Sequence, residues 1–285
     1  MEILVTGATG FIGNHLVNTL LERNHQIFAL ARNVARAKKL SWYPYVNFIE
    51  ADIGTSQTRN GLNVPIPDAV VHLAWHGLPN YYELYHYEIN LMASYHFLKN
   101  LIMKGVKKVL VAGTCFEYGL QYGALAEEHP AQPVTPYAIA KDSLRKFLFH
   151  LKQVKEYTLQ WARIFYLYGD GQPRTTLLSQ LESAIINHRR VFNMTGGEQL
   201  RDYLHVKEAA LYLAKIIENE SFDGIVNVCS GKPISIRRLV EDFISDRNAD
   251  TTLNLGYYPY PDYEPLAFWG NNSKLKQITG GLERK

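Results

Sequence analysis

The chain begins Met1-Glu-Ile-Leu-Val-Thr-Gly-Ala-Thr-Gly-Phe-Ile-Gly13, in which an apolar run is followed at once by three evenly spaced glycines. The β-branched run Ile3–Val5 suits a buried parallel strand. Apolar residues at helical spacing then predict a helix from Phe11 to Glu22. The order of strand, glycine turn and helix predicts the first unit of an α/β sheet.

The three glycines suit the binding of a dinucleotide. Gly7 would allow the tight turn, Gly10 would let the backbone approach a pyrophosphate, and Gly13 would let the helix pack closely on the strand. The free N–H groups at the start of the helix would face the anion. A glycine-rich turn in some other α/β protein is the alternative, and the strand before and the helix after it favour a dinucleotide site.

The spacing Gly-x-x-Gly-x-x-Gly differs from the common dehydrogenase pattern Gly-x-Gly-x-x-Gly. The full segment Gly-Ala-Thr-Gly-Phe-Ile-Gly resembles the extended short-chain dehydrogenase/reductase family, also called the NAD-dependent epimerase/dehydratase family, whose members mostly act on nucleotide sugars. The resemblance implies a Rossmann doubly wound parallel sheet with a small C-terminal substrate-binding lobe. We expect a dinucleotide-binding domain over residues 1–165 and a lobe over 166–285, with residues from about 201 to 232 returning to the first domain.

Composition narrows the class of protein. The chain has 285 residues, of which 47% are hydrophobic and 20% charged, and a net charge of +3, so nucleic acid is not an expected partner. Its two cysteines, Cys115 and Cys229, exclude a disulfide framework and favour a reducing compartment. We see no signal peptide, no apolar run of about eighteen residues and no metal-ligand spacing, so we predict a cytoplasmic protein without a membrane partner or a metal.

Arg32 bears on the choice of cofactor. It follows the predicted second strand, Gln26–Ala31, where an acidic side chain would accept hydrogen bonds from the ribose hydroxyls of NAD. An arginine can instead pair with the 2′-phosphate of NADP, and Arg36 could help. A solvated arginine at a strand end is the alternative. The sequence therefore favours NADP (NADPH) over NAD.

The resemblance extends the cofactor site along the chain. It places Asp52 at the adenine amino group and makes Asn90 a buried residue that orders the site within a helix predicted from about Tyr81 to Met103. The implied cofactor-binding residues are Gly7, Thr9, Gly10, Phe11, Ile12, Gly13, Arg32, Arg36, Asp52, Ile53, Leu73, Ala74, Trp75, Asn90, Tyr137, Lys141 and Ile164.

Tyr137-Ala-Ile-Ala-Lys141 matches the Tyr-x-x-x-Lys motif of the family, which places phenol and ammonium one turn apart on one helical face. The charge of Lys141, together with an oxidised nicotinamide, would lower the pKa of the phenol. Thr114, at the end of the predicted fifth strand, matches the Ser/Thr that bonds the same substrate oxygen. Two other matches, at Tyr95 and Tyr203, lack an upstream Ser/Thr at a strand end and a capped helix start. We therefore predict that Thr114, Tyr137 and Lys141 are the catalytic residues.

The resemblance also suggests substrate contacts. Tyr166 stands where relatives usually have a phosphate-binding asparagine, and Arg201-Asp-Tyr-Leu-His-Val206 matches a segment whose arginine contacts the substrate diphosphate. An ion pair with a carboxylate is the alternative role for Arg201. The candidate substrate-binding residues are His76, Thr114, Cys115, Phe116, Tyr166, Phe192 and Arg201.

The residues after Thr114 bear on the reaction. Family dehydratases have an Asp-Glu pair where Cys115-Phe116 stands, and the cysteine of family 3,5-epimerases would fall at Phe116. The resemblance is then to reductases, so we predict NADPH-dependent reduction of the C4 ketone of a dTDP- or CDP-linked 4-keto-6-deoxyhexose, as in deoxysugar biosynthesis. The alternatives are an NAD-dependent C4 epimerase and a non-enzymatic NADP-sensing protein.

We also expect a homodimer. Its interface would be formed by the helix predicted from about Tyr81 to Met103 and the helix that begins near Pro136.

Overall fold

The computed structural model describes residues 1–55 and 65–280, and it has alternating strands and helices. The strands are β1 Glu2–Thr6, β2 Gln26–Ala31, β3 Asn47–Glu50, β4 Ala69–His72, β5 Lys108–Thr114, β6 Gly123–Leu125, β7 Thr158–Ile164, β8 Tyr166–Tyr168, β9 Val191–Asn193, β10 Leu200–His205, β11 Gly224–Val228, β12 Pro233–Ser235, β13 Thr252–Asn254 and β14 Phe268–Gly270. The α-helices are α1 Phe11–Glu22, α2 Val34–Ala37, α3 Met92–Lys104, α4 Pro136–Leu151, α5 Leu177–Ile186, α6 Val206–Glu218, α7 Ile236–Asp246 and α8 Ser273–Thr279.

Seven strands form one parallel sheet in the order β11-β7-β5-β4-β1-β2-β3. The order runs outward in both directions from β1 and β4, so the chain reverses direction between these two strands. Open α/β sheets bind ligands at such a switch point, outside the carboxyl ends of the strands. The prediction of a doubly wound parallel sheet is confirmed.

Helices cover both faces of this sheet. On one face α1 and α6 pack against Ile3 and Val5 of β1, and on the other α3 and α4 pack against Leu4. Because both faces are buried, the consecutive residues Ile3, Leu4 and Val5 of β1 are all apolar rather than alternating with polar residues.

The turn after β1 requires its glycines. Gly7 has φ +70°, and a Cβ on it would lie 2.9 Å from the backbone nitrogen of Ala74. A Cβ on Gly13 would lie 2.2 Å from the carbonyl oxygen of Gly7. The chain therefore passes from β1 to α1 in a space that admits backbone alone, which suits the approach of a phosphate.

The helix predicted from Tyr81 to Met103 is wrong at its start. A π-helical turn covers His86–Leu91, and the regular helix α3 begins only at Met92. Within that turn the Asn90 side-chain amide lies 3.3 Å from Nδ1 of His86 and donates to the carbonyl oxygen of His76 at 2.9 Å. The wider turn brings these polar side chains together, in keeping with the frequent occurrence of π-helical turns at functional sites.

The C-terminal part of the chain forms smaller layers and also returns to the main sheet. Strands β8, β10 and β12 form a three-stranded sheet, and β9 pairs with β13. Helices α5 and α7 share a separate apolar cluster, whose buried members are Leu178, Leu181, Ala184, Phe192, Met194, Ile236 and Val240. Strand β11 joins the main sheet beside β7, and β14 pairs with β6. Within the described residues, no helix is both long enough and apolar enough to span a membrane.

Candidate active site

One cleft lies at the carboxyl ends of β1, β2 and β4, at the switch point of the sheet. It brings together ten of the residues predicted to bind the cofactor, namely Gly7, Thr9, Gly10, Arg32, Arg36, Asp52, Ile53, Leu73, Ala74 and Trp75. Helix α1 begins here after Gly10, with no side-chain cap and no acidic residue in its first turn. Its first N–H groups can therefore bind an anion, and the cradle without side chains at Gly7 fits the diphosphate of a dinucleotide.

The other predicted cofactor residues are not among those that line this cleft. Phe11, Ile12 and Gly13 form the first turn of α1, and Ile164 ends β7. Asn90 does not line the cleft, but its hydrogen bond to the His76 backbone holds the segment that follows Trp75. The ordering role of Asn90 stays a prediction.

Arg32 lies at the outer end of the cleft and is 58% exposed. Its Nη1 atom is 3.9 Å from Oδ2 of Asp52 and 3.3 Å from Nδ1 of His76. An ion pair this exposed contributes little to stability, so it costs little for the guanidinium to turn to a phosphate. The structure places His76, predicted to contact substrate, beside this arginine.

The three predicted catalytic residues lie together beside Trp75, which lines the cleft. Strand β5 ends in Thr114, and the first turns of α4 carry Tyr137 and Lys141. The side chain of Thr114 lies close enough to the phenol of Tyr137 to lower the pKa of that phenol. Nζ of Lys141 donates to the carbonyl oxygen of Ala112 at 2.9 Å and lies 3.9 Å from the ring centroid of Trp75.

Burial dominates the electrostatics of these groups. The pKa of Tyr137 is raised rather than lowered as the sequence predicts, because burial disfavours the phenolate and the nearby Tyr81 adds to the effect, while the side chain of Thr114 opposes it. Burial lowers the pKa of Lys141 to about 7, against the opposing charge of Glu117. The phenol is therefore held in its protonated form, in which it can donate a proton.

Sequence reasoning missed Glu117, whose side chain is fully buried directly behind Thr114. Its carboxylate accepts hydrogen bonds from the Thr114 backbone at 2.8 Å, from Nε1 of Trp161 at 2.9 Å and from Nε of Arg163 at 2.9 Å. The sequence does contain a pattern that indicates this role, because Glu117 stands three residues after Thr114, which is the spacing of a capping box.

Sequence reasoning also missed an aromatic cluster around Tyr137, the tyrosine predicted to be catalytic. The ring of Tyr81 lies 5.5 Å from that of Tyr137, 5.0 Å from Phe116 and 5.7 Å from Tyr263, measured between centroids. The Tyr81 carbonyl oxygen also accepts a hydrogen bond from the Tyr137 backbone at 3.1 Å. A substrate that reaches Tyr137 would meet the faces and edges of these rings, which suit the apolar face of a sugar.

Three predicted substrate residues, Tyr166, Phe192 and Arg201, line one pocket of the C-terminal part. Arg201 is 2% exposed, and its Nη2 atom lies 3.1 Å from Oε1 of Glu264. The hydroxyl of Tyr166 donates to the same carboxylate. Glu264 was not singled out in the sequence because its partners lie more than sixty residues away in the chain. Arg201 therefore forms an ion pair with a carboxylate, which was the alternative to its predicted contact with the substrate diphosphate.

Cys115, predicted to contact substrate, is buried in the protein. It is 5% exposed and packs in a cluster with Cys229, Phe165 and Phe268. Burial raises the pKa of its thiol, so the thiol is held protonated. Among the described residues no three or more potential metal-ligating side chains gather in one place.

A sequence model of the NAD dependent epimerase/dehydratase family matches residues 3–229, a range that holds both the glycine turn and the Thr114, Tyr137 and Lys141 constellation. The chain belongs to the NAD dependent epimerase/dehydratase family. The resemblance read from its glycine segment is therefore confirmed.

Relatives within this family have two kinds of named activity. The dTDP-6-deoxy-L-talose 4-dehydrogenase (NAD(+)) of Aggregatibacter actinomycetemcomitans is 33% identical over 273 residues, 95% of this chain and 99% of that protein. The UDP-glucose 4-epimerase of Halalkalibacterium halodurans is 29% identical over 268 residues, 85% and 79% of the two chains. In fold, this family member is similar to a UDP-glucuronic acid 4-epimerase from Bacillus cereus solved with UDP-glucuronic acid and NAD, with a TM-score of 0.86, 22% identity and coverage of 100% of this chain and 95% of that one.

Proposed function

We propose that this protein transfers a hydride at C4 of a nucleotide-diphospho-6-deoxyhexose, reducing the 4-keto form to the alcohol. The observation that carries the proposal is that Thr114, Tyr137 and Lys141 lie together beside Trp75, which lines the cleft that holds the glycine turn. The relative named as a 4-dehydrogenase of a dTDP-6-deoxyhexose supports the choice of carbon atom and of sugar class. The nucleotide is proposed to be dTDP or CDP.

The residues would divide the work as follows. Tyr137, protonated because it is buried, gives its proton to the C4 oxygen, and the hydroxyl of Thr114 orients that oxygen. Lys141 lies one turn along α4, where it supports the tyrosine and would bind the nicotinamide ribose. The bound dinucleotide supplies the hydride. One hydride at carbon and one proton at oxygen convert the ketone to the secondary alcohol.

We propose NADP(H) as the cofactor. Arg32 and Arg36 both line the outer end of the cleft, and two guanidinium groups suit the 2′-phosphate of NADP better than the hydroxyl of NAD. The name of the 33% identical relative specifies NAD(+), so both cofactors belong in the test.

The test follows NADPH absorbance with enzymatically generated dTDP- and CDP-4-keto-6-deoxyglucose, with NADH in parallel. We expect oxidation of NADPH and a fall of at least about 100-fold in kcat for Tyr137→Phe, because a general acid commonly contributes that much or more. Tyr95→Phe, a change in another Tyr-x-x-x-Lys segment, serves as the control and should retain activity. Turnover that survives Tyr137→Phe would contradict the mechanism, and faster turnover with NADH would overturn the proposed cofactor.

A C4 epimerase is the second candidate, and the 29% identical UDP-glucose 4-epimerase favours it. It would use the same three residues but retain its cofactor and show no net redox turnover. Release of NAD on denaturation of the purified protein, together with no oxidation of NADPH by any keto sugar, would decide for the epimerase.

Assembly and location complete the proposal. We propose a homodimer formed through α3 and α4, which together expose Met103, Ile139 and Phe147 by 40% or more of their surface. Both cysteines are free and buried, which supports a reducing, cytoplasmic location.

A further inference from the structure

Glu117 is a charged side chain with no part in the proton transfer, yet it is fully buried. It sits in the turn Cys115–Tyr118 that follows β5, three residues after Thr114. Its two oxygens accept hydrogen bonds from donors on two strands, β5 and β7. Oε1 accepts from the Thr114 backbone and from Trp161, and Oε2 accepts from Arg163. Hydrogen bonds to an ionised carboxylate are about twice as strong as neutral ones.

The surroundings of this carboxylate leave it little freedom. A Cβ on Gly113 would lie 2.5 Å from Oε1 of Glu117 and 2.2 Å from Nε1 of Trp161. The hydroxyl oxygen of Thr114 accepts from the Phe116 backbone at 3.3 Å, which limits its rotation. Both the backbone and the hydroxyl of Thr114 are thus held in place, and its side chain lies close enough to the phenol of Tyr137 to lower the pKa of that phenol.

The charge of Glu117 faces other ionisable groups. Arg163 from β7 and Arg145 from α4 lie 2.9 and 3.9 Å from Oε2. The charge of Glu117 also raises the pKa values of Lys141 and Tyr137, which lie on α4, and that of Cys115, which lies in the same turn as Glu117. The carboxylate is therefore placed to influence both the position of Thr114 and the protonation of the catalytic pair.

We propose that Glu117 is a positioning residue of the reaction, which fixes Thr114 through its backbone N–H so that the hydroxyl and Tyr137 hold the substrate oxygen between them. The inference rests on the proposed function, since it assigns a role within the same site. It adds to that site a residue that touches neither substrate nor cofactor.

The variant Glu117→Gln keeps the shape and removes the charge. We expect kcat to fall about 10- to 100-fold, since small displacements of reacting groups cost up to that much, while KM for the keto sugar stays within about 3-fold. Without the negative charge the pKa values of Lys141 and Tyr137 both fall, so the pH profile of kcat should move to lower pH. An unchanged kcat and pH profile would overturn the proposal.

A matched control is Asp202→Asn. Asp202 is also a fully buried carboxylate, and it accepts hydrogen bonds from the backbone of Ser230 and Gly231 rather than from that of Thr114. We expect the Asp202→Asn substitution to lower the melting temperature without moving the pH profile of kcat. If Glu117→Gln does not fold, Trp161→Phe removes one donor to the carboxylate and should lower kcat about 3- to 10-fold at unchanged KM. Equal effects of the Glu117 and Asp202 variants on kcat would reduce Glu117 to a purely structural residue.

A measurement without substrate separates this inference from the proposed reaction. Amide hydrogen exchange at Thr114, followed by NMR, should be at least about 10-fold faster in Glu117→Gln, because a charged acceptor is replaced by a neutral one. Wild-type protein that turns over no keto sugar contradicts the proposed function alone. Exchange at Thr114 that is unaltered by the substitution contradicts the role of Glu117 whatever the reaction is.

Discussion

Lys141 is an ammonium group in a nearly dry place, since only 2% of its surface is exposed. Three groups stabilise its proton, namely the carbonyl oxygen of Ala112, the ring face of Trp75 and the more distant charge of Glu117. These partners do not replace the water that it loses, and its pKa falls from 10.5 to about 7. At neutral pH the folded protein therefore holds this proton weakly.

This shift predicts a dependence of stability on pH. Because the pKa of Lys141 is lower in the folded than in the unfolded chain, the unfolded chain binds more protons between about pH 7 and pH 10.5. The free energy of unfolding contributed by this residue should therefore rise with pH in that window, by up to about 1.4 kcal/mol per pH unit. Urea unfolding of wild type and Lys141→Met at pH 6.5, 8 and 9.5 measures it, and the stability advantage of the methionine variant should shrink as the pH rises. A constant difference between the two would contradict the shift.

At the scale of one element, the way in which helix α4 begins determines where it places Tyr137 and Lys141, the pair proposed to be catalytic. Thr135 accepts a hydrogen bond from the Ala138 backbone at 3.2 Å, and Pro136 occupies the first helical position. Tyr137 therefore lies in the first turn of α4, and the Thr135 cap and Pro136 fix the direction of that turn.

Replacing this cap should affect both stability and activity. Thr135→Ala removes the acceptor, so we expect a loss of about 1 kcal/mol in the free energy of unfolding and a several-fold fall in kcat as Tyr137 loses its fixed direction. Ser235→Ala is the matched control, because Ser235 caps α7 by the same bond to Arg238 at 3.2 Å, and α7 carries none of Thr114, Tyr137 and Lys141. It should cost similar stability and leave kcat unchanged. Denaturant unfolding and steady-state rates of both variants provide the comparison, and equal rates would show that the cap is structural only.

The elements that the sequence predicted well depend on neighbouring residues. The glycine turn, the start of α4 and the apolar strands are determined by backbone freedom, a capping hydroxyl and burial on two faces, all of which can be read locally. The parts that it missed depend on distant residues. Tyr81 meets Tyr263, and Arg201 meets Glu264, only after the chain has folded. The π-helical turn His86–Leu91 also escaped prediction, because its apolar pattern continues into α3 without interruption.

At the scale of the whole molecule, α3 and α4 carry an apolar surface that the single chain leaves open. Phe147 is 41% exposed and packs its ring edge against Tyr95, with centroids 5.5 Å apart. Lone exposed apolar side chains are ordinary, but a group of them on two adjacent helices suits an interface between subunits.

The proposed dimer can be tested by sedimentation. We expect wild-type protein at twice the mass of one chain and Phe147→Glu at the mass of one chain, because a buried unpaired carboxylate opposes association. Ile186→Glu, at the end of α5 and 69% exposed, is the control and should remain a dimer. A wild-type protein of single-chain mass at micromolar concentration would rule out this assembly.

The position of β11 at the edge of the sheet also bears on how the protein is made. Strand β11 pairs with β7, yet Ile164, which ends β7, and Gly224, which begins β11, are separated by sixty positions in the chain. At ordinary rates of translation, that length takes roughly 3 to 12 s to synthesise. Throughout that interval a nascent chain has β7 as an open sheet edge, with unpaired N–H and C=O groups that can pair with other strands. Ribosome-bound and prematurely terminated chains should therefore be the aggregation-prone forms of this protein, and the ones on which chaperones act.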